Sequence, residues 1–187
     1  QSHVWTGSVD PEGLLDWSSS RELTSTHMGG AAHGAGMALG KGRHPGLLCM
    51  SRANTLAVLG PDGVAEEIPV GVAPYDVIVS PDGSTAYVSN WGGRRPGADD
   101  LTAPSSGTDV VVDERGVGAS GTVSVVDLAT RSVVAEIAVG LHASDMVLTR
   151  DGSRLYVANA NSDTVTEIDT RTRKVARSLS VRPDPRL

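Results

Sequence analysis

The sequence predicts an all-β fold, namely a partial β-propeller built from four-stranded antiparallel blades. Three observations support this prediction: a repeat of about 42 residues, apolar residues at every second position within each repeat, and turn-forming residues between the apolar runs. Four short strands in each period of about 40–45 residues are typical of a propeller blade, whereas a helical repeat needs apolar spacings of three and four. We expect about three blades, as a fragment of a seven-bladed ring.

The repeat is clearest in two pairs of segments. Residues 71–90 match residues 140–159 at a distance of 69 positions, and residues 122–127 match residues 164–169 at 42 positions. The two distances differ by 27 residues, and this whole difference lies between Asn90 and Gly121. The unit is therefore 42 residues long, and one copy carries an insertion of 27 residues.

This repeat predicts how the chain is organised. Residues 72–181 are expected to form two consecutive blades, with residues 75–80 and 145–149 as the innermost strands. A weaker copy covers residues 47–70, and upstream of it only Met37 and Leu39 still align with Met146 and Leu148. We therefore expect an irregular or degenerate N-terminal segment over residues 1–46, and blades over residues 47–187 with an inserted loop at 91–120.

Composition argues against several classes of protein. The formal net charge of the 187 residues is −6, which disfavours nucleic acid as a partner. Cys49 is the single cysteine, so the chain cannot form an internal disulfide. No apolar run approaches the roughly 18 residues of a membrane span, and no signal peptide is recognisable at the start of the sequence.

Two tetrapeptides at the same position of the repeat point to a family. They are Tyr-Val-Ser-Asn at 87–90 and Tyr-Val-Ala-Asn at 156–159, and the first follows a Ser-Pro-Asp-Gly turn at 80–83. With these motifs the chain resembles the YVTN-repeat β-propeller family of surface-layer-type proteins. The insertion is similar to that of secreted bacterial propellers that are often fused to a phosphoesterase domain. The resemblance implies a periplasmic or extracellular location and a fused domain or protein partner.

The insertion carries the candidate contact residues. Trp91, Arg94 and Arg95 place an aromatic ring beside two guanidinium groups, a combination that suits an anionic ligand, a sugar or a partner protein. In the alternative interpretation, Trp91 only caps the blade and the arginines pair with Asp99 or Asp100. The acidic residues of the insertion lack the spacing of a calcium loop, so we expect no metal there.

Other possible sites are weaker. Residues 116–121 read Gly-x-Gly-x-x-Gly, but a strand rather than a helix is predicted to follow, which argues against a dinucleotide cofactor. Soft side chains between positions 27 and 50 fit no compact metal motif; they are His27, Met28, His33, Met37, His44, Cys49 and Met50. The acids and amides that recur in each copy are explained by turns. We expect no catalytic residue, no cofactor and no metal in this chain.

These observations lead to two functional hypotheses. The first is a non-catalytic propeller module that acts as a binding or assembly scaffold, with self-association through open blade edges as one possibility. The second is the propeller portion of an enzyme whose catalytic part lies outside this chain. Nothing in the sequence marks a nucleophile with an activating base, which favours the first hypothesis.

Overall fold

The computed structural model describes residues 3–26, 30–39, 46–60, 63–105 and 107–182, and these residues form strands and turns without a helix. The strands in chain order are β1 His3–Val9, β2 Leu15–Glu22, β3 Thr24–Ser25, β4 Gly30–Ala31, β5 Gly34–Leu39, β6 Gly46–Met50, β7 Thr55–Gly60, β8 Gly63–Pro69, β9 Val72–Val79, β10 Thr85–Gly93, β11 Thr102–Ser105, β12 Thr108–Val111, β13 Thr122–Asp127, β14 Ser132–Ala138, β15 Ala143–Leu148, β16 Arg154–Asn159, β17 Thr164–Asp169 and β18 Lys174–Ser180.

Three four-stranded antiparallel sheets form consecutive blades. Blade 1 consists of β5–β8, blade 2 of β9, β10, β13 and β14, and blade 3 of β15–β18. The first strand of each blade lies at one edge, and β9 contacts both β5 and β15, so the three first strands are neighbours. This arrangement confirms the predicted all-β, partial β-propeller fold, with the expected innermost strands of blades 2 and 3.

Two apolar cores hold neighbouring blades together. Alternating side chains place one face of each blade against the preceding blade and the other face against the next one. The core between blades 1 and 2 contains Leu47, Cys49, Leu56, Val58, Ile68, Val70, Val77, Ala86, Val88, Val126 and Leu128. The core between blades 2 and 3 contains Tyr87, Val123, Val125, Ile137, Ala143, Met146, Leu155, Val157 and Ile168. Valine and leucine thus supply most of the buried volume in a chain without phenylalanine.

The recurring asparagine of the tetrapeptide is a buried structural residue. The Asn90 amide donates hydrogen bonds to the hydroxyls of Thr122 and Ser124, at 3.0 and 2.9 Å. The Asn159 amide donates to Thr166 Oγ1 in the same way, at 2.9 Å. In blades 2 and 3 the amide therefore ties the end of the second strand to the third strand, which explains why the residue recurs.

The N-terminal part of the chain is more regular than its sequence suggests. The range 1–46, expected to be irregular, contains the β1–β2 hairpin, the short β3–β4 pair and the whole of β5. Blade 1 accordingly begins at Gly34 rather than at residue 47. These strands are not apparent in the sequence because β2 contains three consecutive serines and four of the six residues of β5 are glycine or alanine, so neither strand shows a clear apolar alternation.

A carboxylate on blade 1 anchors this N-terminal segment. Glu67 accepts hydrogen bonds from Ser25 Oγ at 2.8 Å, from the Thr26 amide at 2.7 Å and from Thr55 Oγ1 at 2.9 Å. Burial raises the pKa of Glu67, but these hydrogen bonds lower it by more, so the pKa lies below its ordinary value.

We expect Glu67→Gln to lower the free energy of unfolding at pH 7 by about 1–2 kcal/mol, because charge-assisted hydrogen bonds are weakened. Because the pKa of Glu67 is lower in the folded state than in the unfolded state, its ionisation stabilises the protein above the unfolded pKa of about 4.3. This stabilisation is lost as the pH falls through the folded-state pKa. The difference between the variant and the wild type should therefore shrink below pH 4 in urea titrations. Glu66→Gln is the control, since partly exposed Glu66 forms an ion pair with Arg131 at the surface.

Within the described ranges, no helix is long and apolar enough to cross a membrane.

Candidate functional site

The insertion after Asn90 is an ordered structure that leaves blade 2 and returns to it. β10 continues to Gly93, β11 and β12 form a hairpin, and a bridge between Val112 and Gly118 closes the loop before β13. The amide of Arg94 donates to Ser120 Oγ at 3.0 Å, which joins the two ends of the insertion. A strand follows Gly121, as predicted, so the glycines at 116–121 serve a loop rather than a helix N-terminus.

Asn54 of blade 1 holds the insertion in place. Its side-chain amide donates to Thr108 Oγ1 at 2.7 Å, while its side-chain oxygen accepts from the Ala73 amide at 2.8 Å. The backbone oxygen of Asn54 accepts from Arg95 at 3.0 Å. Asn54 adopts a left-handed conformation with φ of 56°, which asparagine tolerates better than most residues. The insertion of blade 2 is therefore fixed onto the β6–β7 turn of blade 1.

Trp91 separates two cavities beneath the insertion. The first has a volume of about 260 Å³ and lies between the insertion and the start of blade 3, where His142 and Asn161 line it. The second has a volume of about 330 Å³ and lies between the insertion and blade 1. We refer to these two cavities together as the Trp91 cleft. Its walls come from all three blades, although the insertion belongs to only one.

The Trp91 indole packs edge-on against the imidazole of His142. The ring centroids lie 3.9 Å apart with an interplanar angle of 79°. Burial lowers the pKa of His142, and a hydrogen bond with the Asn161 side chain opposes this shift only in part. His142 is therefore neutral at pH 7, and the wall of the cleft toward blade 3 carries no positive charge.

The second cavity is lined by polar and aromatic side chains that the sequence did not single out as contact residues. His33, Arg52 and Tyr75 line it together with Trp91 and Thr108. Arg52 is exposed and forms no ion pair with any described residue. A methyl group on Gly107 would lie 2.8 Å from Arg52 Nη2, so the guanidinium lies against the tip of the β11–β12 hairpin. The sequence contained a signal for His33, because it precedes the first strand of blade 1 just as His142 precedes the first strand of blade 3.

The arginines predicted to bind a ligand have other contacts. Arg94 forms a bidentate ion pair with Asp100, with distances of 2.5 and 2.6 Å, as the alternative interpretation of the sequence anticipated. Arg95 donates to the carbonyl oxygens of Val70 and Asn54. Trp91 lines the cleft, whereas Arg94 and Arg95 fix the conformation of the insertion. Their part in ligand or partner contact stays a prediction.

Other reactive groups are placed where they have structural roles. Cys49 is buried in the core between blades 1 and 2, and burial raises the pKa of its thiol well above the ordinary value. Burial also raises the pKa of Asp76, with a smaller contribution from Asp145, while Asp76 accepts hydrogen bonds from the amides of Val77 and Met146. The bond from Met146 links blade 2 to blade 3.

The soft side chains noted in the sequence do not form a visible metal site. His27, Met28 and His44 lie outside the described residues. Met37 and His33 are exposed, while Cys49 and Met50 are buried. In the described part of the chain, no three His, Cys, Asp or Glu side chains lie close enough together to hold a metal ion.

The fold and the cleft define the class: the chain is a β-propeller protein. Residues 95–186 match the family model of the YNCE-like β-propellers. The match confirms the relationship to a propeller family that the repeat predicted. No curated protein matches the chain.

Solved structures show the same fold at low sequence identity. Hydrazine synthase of Kuenenia stuttgartiensis is 24% identical with a TM-score of 0.53, and the match covers 71% of this chain and 31% of that one. A functionally unknown protein of Desulfotomaculum acetoxidans is 18% identical with a TM-score of 0.55, covering 88% and 45%. Apo AztD of Citrobacter koseri is 13% identical with a TM-score of 0.56, covering 90% and 40%. The chain thus spans less than half the length of each of these proteins.

Proposed function

We propose that this chain is a non-catalytic binding module whose ligand site is the Trp91 cleft. The observation that carries the proposal is the placement of the insertion, which is held by specific hydrogen bonds over two cavities on either side of one tryptophan. Connections between propeller strands are ordinarily short. An ordered insertion that encloses a cleft therefore has a role beyond connecting two strands. Binding sites in proteins are commonly concave, apolar and equipped with a few polar groups, as this cleft is.

The chemistry of the cleft favours an anionic ligand with a planar apolar part. Arg52 supplies a guanidinium that is free of carboxylate partners among the described residues, and it can bind a carboxylate in bidentate geometry. Trp91 and Tyr75 supply aromatic faces, and the hydroxyl of Thr108 supplies a further polar group. We take the ligand to be a small aromatic or unsaturated carboxylate, or the carboxylate-bearing side chain of a partner protein.

A location outside the cytoplasm forms part of this proposal. Its support is the resemblance of the insertion and the tetrapeptides to those of secreted propellers. The single cysteine is buried in an apolar core, and a chain without exposed thiols is compatible with an oxidising compartment. Fractionation of cells that express the full-length protein checks this part independently of ligand binding.

Titration calorimetry with benzoate as the probe tests the cleft. We expect saturable binding by the wild-type chain, and a loss of affinity of about tenfold or more in Arg52→Ala, because the guanidinium carries the carboxylate contact. Trp91→Ala should weaken binding as well, while inorganic phosphate should bind more weakly than benzoate because it has no apolar part.

Arg115→Ala is the matched control. Arg115 is likewise an exposed arginine and belongs to the insertion, but it pairs with Asp113 within its own turn and does not line the cleft. Equal benzoate affinity in the wild type, Arg52→Ala and Arg115→Ala would refute the assignment of Arg52. Absence of benzoate binding by the wild type would refute the carboxylate chemistry.

A further inference from the structure

The β1–β2 hairpin has the structure of the outer half of a propeller blade. In every blade the third and fourth strands share one β-bulge, at which a single residue of the fourth strand is skipped. The bulge lies between Val58 and Leu59 in blade 1, Val125 and Val126 in blade 2, and Glu167 and Ile168 in blade 3. The β1–β2 hairpin has the same bulge between Thr6 and Gly7. This shared register identifies β1 as a third strand and β2 as a fourth strand.

The packing of β1 agrees with this assignment. The bulge aligns Val4 with Leu56 of blade 1 and Val123 of blade 2, two residues that face the following blade. Val4 likewise packs against Leu48 and Met50, on the face of blade 1 that is turned away from blade 2. The hairpin therefore occupies the position of the outer strands of a blade that precedes blade 1.

A groove lies where the inner strands of this preceding blade would be. Two cavities, of about 320 and 480 Å³, are both lined by Val4 and Trp5 of β1 and by Met37 of β5. Leu39 and Leu59 line the smaller one. We call this region the inner-strand groove. Among the described strands, β1 pairs only with β2, so its edge toward the groove is open.

The exposure of β5 shows what the groove is shaped to receive. Met37 is 56% exposed and Leu39 is 80% exposed. The equivalent residue of Met37 is Val77 in blade 2, 3% exposed, and Met146 in blade 3, 5% exposed. Val77 packs in the core with the second strand of blade 1, and Met146 packs in the core with the second strand of blade 2. Met37 and Leu39 thus lack the contacts that an inner pair of strands provides elsewhere.

We propose that the inner-strand groove binds an antiparallel β-hairpin of the inner-blade type, which pairs with the open edge of β1 and completes a four-stranded blade. Backbone hydrogen bonds to an open strand edge supply affinity, and alternate side chains supply specificity. The residue opposite Thr6 is fixed by the register of the other blades. There, Val125 lies opposite Tyr87 and Glu167 lies opposite Tyr156.

The inner hairpin of blade 3 is a suitable probe because it is short and ends in this tyrosine strand. A labelled peptide of residues 143–160 is titrated into the full chain and followed by fluorescence anisotropy. We expect saturable binding, weakened about tenfold or more by Leu39→Asp, since a carboxylate would be buried against the peptide. Leu14→Asp is the matched control, because Leu14 is 70% exposed and lies in the β1–β2 turn, away from the groove.

A disulfide tests the register. Thr6→Cys in the chain and Tyr156→Cys in the peptide should crosslink under mild oxidation, because opposite residues of antiparallel strands have Cα atoms about 4.5–5.5 Å apart. Ser8→Cys, two residues further along β1, should not crosslink. Equal binding by the wild type and Leu39→Asp, or equal crosslinking at positions 6 and 8, would overturn the proposal. A third outcome would also overturn the proposal: the wild-type chain binds no peptide but self-associates, and Leu39→Asp abolishes the self-association. In that case a second copy of the chain fills the groove.

Discussion

Tyr87→Ala is expected to lower the free energy of unfolding by about 3–4 kcal/mol. The tyrosine of the tetrapeptide in blade 2 is buried in the core between blades 2 and 3, where it packs with Leu155 and Ile168. Burial raises the pKa of its hydroxyl, and the side chain of Thr170 opposes this shift only in part. Truncation removes a large aromatic surface and leaves a cavity between blades 2 and 3. The strands around this cavity cannot move to fill it, because they are held in hydrogen-bonded sheets. Urea unfolding followed by circular dichroism measures the loss.

The same substitution in blade 3 provides the control. Tyr156 occupies the equivalent position, but no described blade covers its face, and it is only half-buried. Tyr156→Ala should therefore lower the free energy of unfolding by about 1 kcal/mol or less. Equal losses in the two variants would show that Tyr87 is not held by an inter-blade core and would contradict the blade assignment.

The contrast between the two tyrosines shows why the sequence predicted the blades so well. Residues 75–80 and 145–149 were expected as innermost strands because apolar residues alternate there and an Asp-Gly turn follows each run. The structure confirms both strands. In strands of this kind residues such as Val77 and Met146 are buried at alternating positions, so their sequence alone contains the signal.

The N-terminal strands lacked this signal. β1 and β2 are exposed along nearly their whole length, and an exposed strand needs no apolar alternation. What identifies them as part of a blade is the bulge between Thr6 and Gly7, which is a property of backbone pairing rather than of residue type. Periodicity analysis cannot detect such a feature.

The candidate site was predicted only in part. Trp91 was found because an aromatic residue begins the insertion, and it lines the cleft. Arg52 was not found, because it belongs to blade 1, is far from the insertion in the sequence and lies near it only in the folded structure. Conversely, nothing in the sequence distinguishes Arg95, which donates to backbone carbonyls of blade 1, from an arginine that faces solvent. Sites assembled from several blades are therefore only partly visible in one sequence.

The last prediction concerns the glycine that precedes the first strand in blades 2 and 3, Gly71 and Gly140. A methyl group on Gly140 would lie 2.6 Å from Asn159 Cβ, and one on Gly71 would lie 2.5 Å from Asn90 Cγ. Non-bonded carbon atoms are most stable at about 3.5–4.0 Å, so either methyl group would force a displacement. The asparagine cannot yield easily, because its buried amide is hydrogen-bonded to hydroxyls of the third strand. Close backbone approach, rather than a special φ, is what requires glycine here.

We expect Gly140→Ala to lower the free energy of unfolding by about 3 kcal/mol, at the upper end for overpacking, because the clash involves a Cβ atom next to the main chain. Gly118→Ala is the matched control: it adds the same methyl group in the insertion, where no atom lies within 4 Å of the new carbon. That variant should change stability by about 0.5 kcal/mol or less. Urea midpoints of the two variants are compared at one pH and temperature. If Gly140→Ala unfolds at the same midpoint as Gly118→Ala, the contact between the glycine and the tetrapeptide asparagine does not constrain the blade.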